Sequence, residues 1–236
     1  NRLYRFWGDL EEGLLTGRSQ NESKHGNMHF FEELYKNPER LHEFIDAMSG
    51  FQAGNFMALV NAFDFSKYKT IADLGGADGF LCCMIASKYP GITCTTYDLP
   101  PVKPVAEDRI ARSKLQDRVK AATIDIDKAA TFPSADLITM GNILHGYNEE
   151  SKQQVIRKVF EALDERGVFI AIENVIDNER RKNALGLMMS LNMLIENGDG
   201  FDYTQADFEG WAKAAGFRRI EALPLAGSTS AAIAYK

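Results

Sequence analysis

One histidine and a few acids stand at the ends of apolar runs, where side chains are free to do chemistry. His145 falls in the run Ile138-Thr-Met-Gly-Asn-Ile-Leu-His-Gly-Tyr147, and no other histidine lies beyond residue 42. An imidazole titrates near pH ~6.5, so His145 can accept a proton at neutral pH. Glu173 closes the next apolar run. A carboxylate beside the ring would fix its tautomer, as in any pairing of a base with an orienting group. The bland alternatives are a buried, hydrogen-bonded structural histidine and a strand-end acid solvated by water. Residue types alone leave both open.

A second constellation precedes the first. Thr70 to Gly79 read T-I-A-D-L-G-G-A-D-G, and Asp98 ends the following apolar run about 20 residues after the glycines. An apolar run that ends in Asp73, turns through paired glycines and enters a helical pattern is the layout of a nucleotide-binding strand-helix-strand unit. The later carboxylate then grips a ribose diol. The spacing is not G-x-G-x-x-G, because Ala77 stands where that pattern wants glycine. Asp73 and Asp78 flank the loop, and two carboxylates there would repel a pyrophosphate. A ligand with a ribose and a cationic tail fits better; S-adenosylmethionine has both. The plain alternative is a strand-turn-helix whose glycines only make a turn, which leaves Asp98 unexplained. Asp125, closing the third run, is of the right type to accept from an adenine amino group.

Alternating elements must position these residues. Strand patterns cover Thr70–Leu74, Ile92–Tyr97, Val119–Ile124, Ala135–Met140 and Val168–Glu173, with helical patterns at Gly79–Lys88, Val102–Lys114 and Glu150–Leu163. Such alternation predicts a doubly wound, mostly parallel α/β sheet with helices on both faces. Helices over Arg181–Ile195 and Gln205–Ala215 follow. Two final runs, Arg218–Leu223 and Ser230–Tyr235, read as a hairpin that makes seven strands and sets the last one antiparallel. Residues 1–68 read as a helical segment, with Pro38 opening an amphipathic stretch; residues 69–236 read as the alternating α/β domain. Ligands of such sheets bind at the carboxyl ends of the strands. That rule gathers Asp73, Asp98, Asp125, the 141–147 turn and Glu173 on one rim.

Composition narrows the class. With 236 residues, 45% hydrophobic and 25% charged, the chain is a globular protein of one large domain or one domain plus an appendage. A net charge of -6 argues against a nucleic-acid partner, and no apolar stretch spans a bilayer. The three cysteines are expected as buried thiols in a reducing, cytoplasmic setting. No Cys/His spacing suggests zinc and no carboxylate cluster suggests magnesium, so no metal is expected. His25, His29 and His42 are expected at solvated or core-edge positions. Met188, Met189 and Met193 share a helix with Asn192, a stripe that fits either core or pocket. The chain starts at Asn1 with the aromatic-rich Arg2-Leu-Tyr-Arg-Phe-Trp-Gly, which suggests a missing amino-terminal segment.

The ordered motifs resemble those of the S-adenosylmethionine-dependent O-methyltransferases of the caffeate, hydroxyneurosporene and acetylserotonin type, from Phe6 to Tyr235. F-W-G-D-L, T-G-R-S-Q-N-E, F-F-E-E-L-Y and P-E-R-L are similar to the helices that roof that family's acceptor pocket. D-L-G-G-A-D-G resembles its cofactor loop, Y-D-L-P its ribose-binding strand end and T-M-G-N-I-L-H its catalytic turn. M-S-L-N-M-L-I-E, F-D-Y-T and W-A-K-A-A-G-F resemble its closing segments. The resemblance implies a Rossmann-like class I methyltransferase fold that binds S-adenosylmethionine and releases S-adenosylhomocysteine. It places Asp73, Gly75, Asp98, Leu99, Asp125, Ile126 and Gly141 around the cofactor. It makes His145 the general base, steered by Glu173 and Asp202, and sets Phe30, Met188 and Asn192 against the acceptor. It also implies that a winged-helix dimerisation domain precedes this chain and that the parent protein is a homodimer.

Three departures stand out. Gly146-Tyr147 follows the histidine where many members have Asp-Trp, Asp202 stands where many have Glu, and Ala77 replaces a loop glycine. The expected reaction is methyl transfer to a hydroxyl of a small aromatic or conjugated molecule. The altered turn keeps a second enzyme reading in view: the same cofactor with methylation at carbon or nitrogen, or a reaction without methyl transfer. A non-catalytic ligand-binding module is the third.

Overall fold

The computed structural model describes residues 2–25 and 34–236. Its strands are β1 (Thr70–Leu74), β2 (Thr93–Asp98), β3 (Val119–Thr123), β4 (Ala135–Gly141), β5 (Leu163–Glu173), β6 (Arg219–Pro224) and β7 (Ser230–Tyr235). Its α-helices are α1 (Leu10–Thr16), α2 (Pro38–Ala62), α3 (Phe80–Lys88), α4 (Lys103–Arg112), α5 (Glu149–Ala162), α6 (Ala184–Asn197) and α7 (Gln205–Ala215). The strands form one sheet in the order β3-β2-β1-β4-β5-β7-β6. All neighbouring pairs from β3 to β5 are parallel, and β7 runs antiparallel to both β5 and β6. The Rossmann-like α/β fold, its seven strands and its antiparallel last strand are those the sequence pattern predicts.

The period of two along each strand divides the core between the sheet's faces. In β4, Leu137 joins Leu59, Leu81, Ile85 and Ile110 on the side of α2, α3 and α4. Its neighbour Ile138 joins Val155, Ile156, Phe208 and Trp211 on the side of α5 and α7. Helix starts follow the capping residues. Asn37 accepts from the amides of Glu39 and Arg40 beside Pro38, and Asn148 accepts from Ser151. Thr204 and Asp207 cap each other reciprocally. The front of the chain is pinned to the end of α6: Gln20 donates its amide to the Ile195 carbonyl at 2.7 Å, and Arg2 pairs with Glu196 at 2.6 Å.

Several boundaries differ from those expected. β5 starts at Leu163, because the Asp164–Gly167 segment continues the strand instead of looping, with a register shift against β4 between Ala135 and Leu137. α6 starts three residues late, since the Asp177 carboxylate captures the amides of Arg181, Lys182 and Asn183 in a turn and Asn183 then caps the helix. α4 stops at Arg112, before Lys114, whose φ is 56°. Cys82, Cys83 and Cys94 are free and buried. Among the described residues no helix is long and apolar enough to cross a membrane.

Candidate active site

β1 pairs with β2 on one side and β4 on the other, so the connections lead away in opposite directions and leave a crevice above their carboxyl ends. The loop after β1 is built for close approach there. Gly75 has φ +71° and donates to the Tyr97 carbonyl at 2.8 Å. A Cβ on Gly75 would lie 2.3 Å from Ile143 Cδ1, with Ile126 Cδ1 3.9 Å away. A side chain at Gly75 would therefore have to push Ile143 aside, besides taking a left-handed backbone. Gly141 closes β4 nearby, beneath the Phe56 ring.

Asp98 organises the rim. Its Oδ2 accepts the Ala77 amide at 2.9 Å and its Oδ1 the Leu99 amide at 2.7 Å. Each oxygen keeps a lone pair to offer a diol. Burial pushes its pKa up, against those two amides. Ala77 takes φ 49° to deliver its amide, so the cost of alanine here is its left-handed backbone, not its size. Leu99, Ile124 and Asp125 line a cleft of about 410 Å³ together with Tyr35. Asp125 already caps its own turn and pairs with Lys128 at 2.8 Å, and that pairing holds its pKa down.

Asp73 lies beneath the loop, buried, and accepts from Thr139 Oγ1 at 2.6 Å. Burial raises its pKa to about 7, despite Thr139 and with Asp98 and Asp78 adding to the rise. The expectation of two like charges flanking the loop needs correction. Asp78 is buried between three elements, accepting Ser49 Oγ at 2.9 Å and paired with Arg109 Nε at 2.5 Å. Its charge is neutralised by α4, and it anchors α3 to α2.

The second half of the site follows β4. Glu173, at the end of β5, accepts the amides of Ile143 and Leu144 on Oε1, at 3.1 and 2.9 Å. This ties down the 3₁₀ turn Leu144–Gly146 and turns His145 toward the same carboxylate. His145 Nδ1 lies 3.7 Å from Glu173 Oε2 and 3.5 Å from Asp202 Oδ1. Asp202 thus comes within ion-pair distance of the ring despite its short arm, without a hydrogen bond to Nδ1. All three residues are buried. Burial pulls the His145 pKa down, but Glu173 and Asp202 outweigh it and hold the ring above its ordinary value. Burial lifts Glu173 to about 7, against the pull of His145. The nearest His145, Glu173 and Asp202 atoms lie within 4.8 Å of one another.

Met188 is 56% exposed, and Met189, Asn192 and Met193 are half-buried, so the stripe on α6 is not core. His42 is on the surface, with Nδ1 2.9 Å from the Pro38 carbonyl. Phe30 and His29 lie outside the described residues.

Two residues beside the histidine were not singled out in the sequence. Lys152 on α5 is fully buried, with Nζ 3.5 Å from the centroid of the Phe201 ring. Tyr203 is buried and stacked on Phe208. A signal for Lys152 existed: it sits three, four and seven residues before Val155, Ile156 and Val159, on the apolar face of the helix.

The residues present fit an S-adenosyl nucleoside. Gly75 keeps the loop backbone bare and left-handed beside Ile143, Asp98 presents two prearranged acceptors, and buried Asp73 and Asp98 favour a cation over an anion. Comparison with known proteins agrees. A family described as O-methyltransferase domain matches residues 7–218. The tetracenomycin polyketide synthesis 8-O-methyl transferase TcmO of Streptomyces glaucescens is 32% identical over 235 residues, covering 100% of this chain and 68% of that protein. The structure of PigF with SAH superposes with a TM-score of 0.90 at 26% identity, covering 99% of this chain and 70% of that one. Human N-acetylserotonin methyltransferase in complex with SAM gives a TM-score of 0.87 at 26% identity, with coverage of 99% and 67%. The chain thus spans about two thirds of the length of these relatives.

Proposed function

The chain belongs to the S-adenosylmethionine-dependent O-methyltransferases, and from that premise we propose how its own residues carry the reaction. Asp98 would hold the ribose, with Leu99, Asp125 and Ile126 about the adenine and Asp73, Gly75 and Gly141 about the methionine part. When bound, the cofactor supplies an electrophilic methyl group. The acceptor is a hydroxyl of a small aromatic or conjugated molecule. Residues 1–68, with Phe30, Met188 and Asn192, would form the acceptor side of the site and leave residues 69–236 as the cofactor-binding domain.

The observation that carries the reading is the imidazole set between two carboxylates. Glu173 and Asp202 favour the tautomer with its proton on Nδ1, which leaves Nε2 as the acceptor. A phenol with a pKa near ~10 is almost wholly protonated at pH 7, so its oxygen needs that base to become an effective nucleophile. As His145 takes the proton, the imidazolium that forms sits between two carboxyl groups already in place, and its charge draws Glu173 toward the ionised form. Burial of all three groups keeps water from competing for the proton.

The net charge of -6 and the buried thiols support a small-molecule partner in a reducing, cytoplasmic setting, not a nucleic acid. The testing experiment uses methyl-labelled S-adenosylmethionine with a panel of phenolic, polyketide and carotenoid alcohols, and locates the label by mass spectrometry. Label on oxygen is expected. Label on carbon or nitrogen, or turnover without transfer, would replace this reading.

A further inference from the structure

We propose that Lys152 is a positioning residue for His145: its buried ammonium ties the turn after the histidine to the Phe201-Asp202 segment and balances the two carboxylates that flank the ring. The proposal deepens the base reading above and rests on it.

Three observations converge on this lysine. Its side chain is fully buried on α5, although the apolar face formed by Val155, Ile156 and Val159 would pack a methionine as well. Its ammonium donates to the Tyr147 carbonyl, two residues past His145. The same ammonium sits 3.5 Å from the centroid of the Phe201 ring, immediately before Asp202. One side chain therefore clamps the segment carrying the base to the segment carrying one of its orienting acids.

The charge has work to do there. With a neutral imidazole, Glu173 and Asp202 face each other across His145, and two buried carboxylates repel unless a cation or a proton offsets their charge. The charged groups acting on Lys152 are Glu173 from β5, Asp202 and Asp199 from the segment after α6, and Glu149 from its own helix; His145 faces it from the 3₁₀ turn. Burial lowers the Lys152 pKa to about 8, and these carboxylates oppose the fall. In return, the ammonium pulls His145 downward, against the two acids. The lysine thus offsets part of the carboxylates' pull on the ring. Without it the ring would hold its proton more tightly.

The test follows the His145 ring by NMR in the whole chain, with ¹³C-labelled histidine, its signal identified by its loss in His145→Gln. Lys152→Gln and Lys152→Met are expected to raise the His145 titration midpoint by about half to one pH unit, as loss of a nearby like charge should. The acid limb of methyl transfer should move up by the same amount. Lys152→Arg, which keeps the charge, should leave both near their original values. A midpoint unchanged in a folded charge-free variant would overturn the proposal. So would a chain that folds with arginine but with neither glutamine nor methionine, which would make the charge structural. The NMR midpoint does not depend on His145 being the base; that reading fails separately, if His145→Gln turns over at the normal rate.

Discussion

Glu173 holds the Leu144 amide on Oε1 at 2.9 Å, while its Oε2 stands 3.7 Å from His145 Nδ1. One carboxylate therefore both shapes the turn that presents the imidazole and sets the field around it. The two roles can be separated, because glutamine keeps an oxygen for the backbone amides but removes the charge.

Glu173→Gln is expected to lower maximal turnover by at least ~10-fold, because the imidazolium loses a counter-charge. The pH dependence should move in a definite direction. Glu173 raises the His145 pKa, so its removal lowers that pKa, and the acid limb of the rate profile should shift to lower pH. The variant then keeps a larger fraction of its own maximum at pH 6 than the parent does. A limb that moved upward would contradict the electrostatic role.

Asp98 accepts two backbone amides and retains capacity for a diol. Asp98→Asn turns one acceptor into a donor facing an amide and removes the charge. A charge-assisted hydrogen bond contributes about 1.5–3 kcal/mol, so the Kd for S-adenosylhomocysteine should rise roughly 10- to 100-fold. Titration calorimetry measures this without an acceptor. An unchanged Kd in a folded variant would remove Asp98 from the cofactor site.

Gly75 and Ala77 make a paired test of the loop. Gly75→Ala places a Cβ against Ile143 at a left-handed φ, and overpacking of this kind costs about 1–3 kcal/mol. In a chain of this size that corresponds to a Tm lower by several degrees, and it should be accompanied by loss of cofactor binding. Ala77→Gly relieves a left-handed alanine and should bind at least as well as the parent. Equal melting of Gly75→Ala and the parent would show that the cradle is not tight.

The sequence made the sheet legible because buried parallel strands read as short apolar runs and the turns between them carry glycine or an acid. It made the rim legible for the same reason: Asp73, Asp98, Gly141 and Glu173 each end such a run. Charge pairing was less visible. Asp78 read as a free anion because its partner Arg109 lies 31 residues away on another helix. The start of α6 is not legible because the Asp177 side chain takes amides that a helix would otherwise use. Lys152 is hard to read because a lysine on an amphipathic helix usually faces water; only its phase with Val155 and Val159 marks it as buried. The reach of Asp202 depends on a loop path that residue spacing does not define.

The most direct test of the account is the pH–rate profile of methyl transfer to a phenolic acceptor for the parent and for His145→Ala, with the cofactor Kd measured alongside. The account predicts an acid limb in the parent whose midpoint lies above the ordinary histidine value of ~6.5. In the variant that limb should disappear, the rate should fall at least ~100-fold, and the Kd should stay within error. A variant that turns over at nearly the parent's rate, or keeps the same limb, would contradict the claim that His145 takes the acceptor's proton.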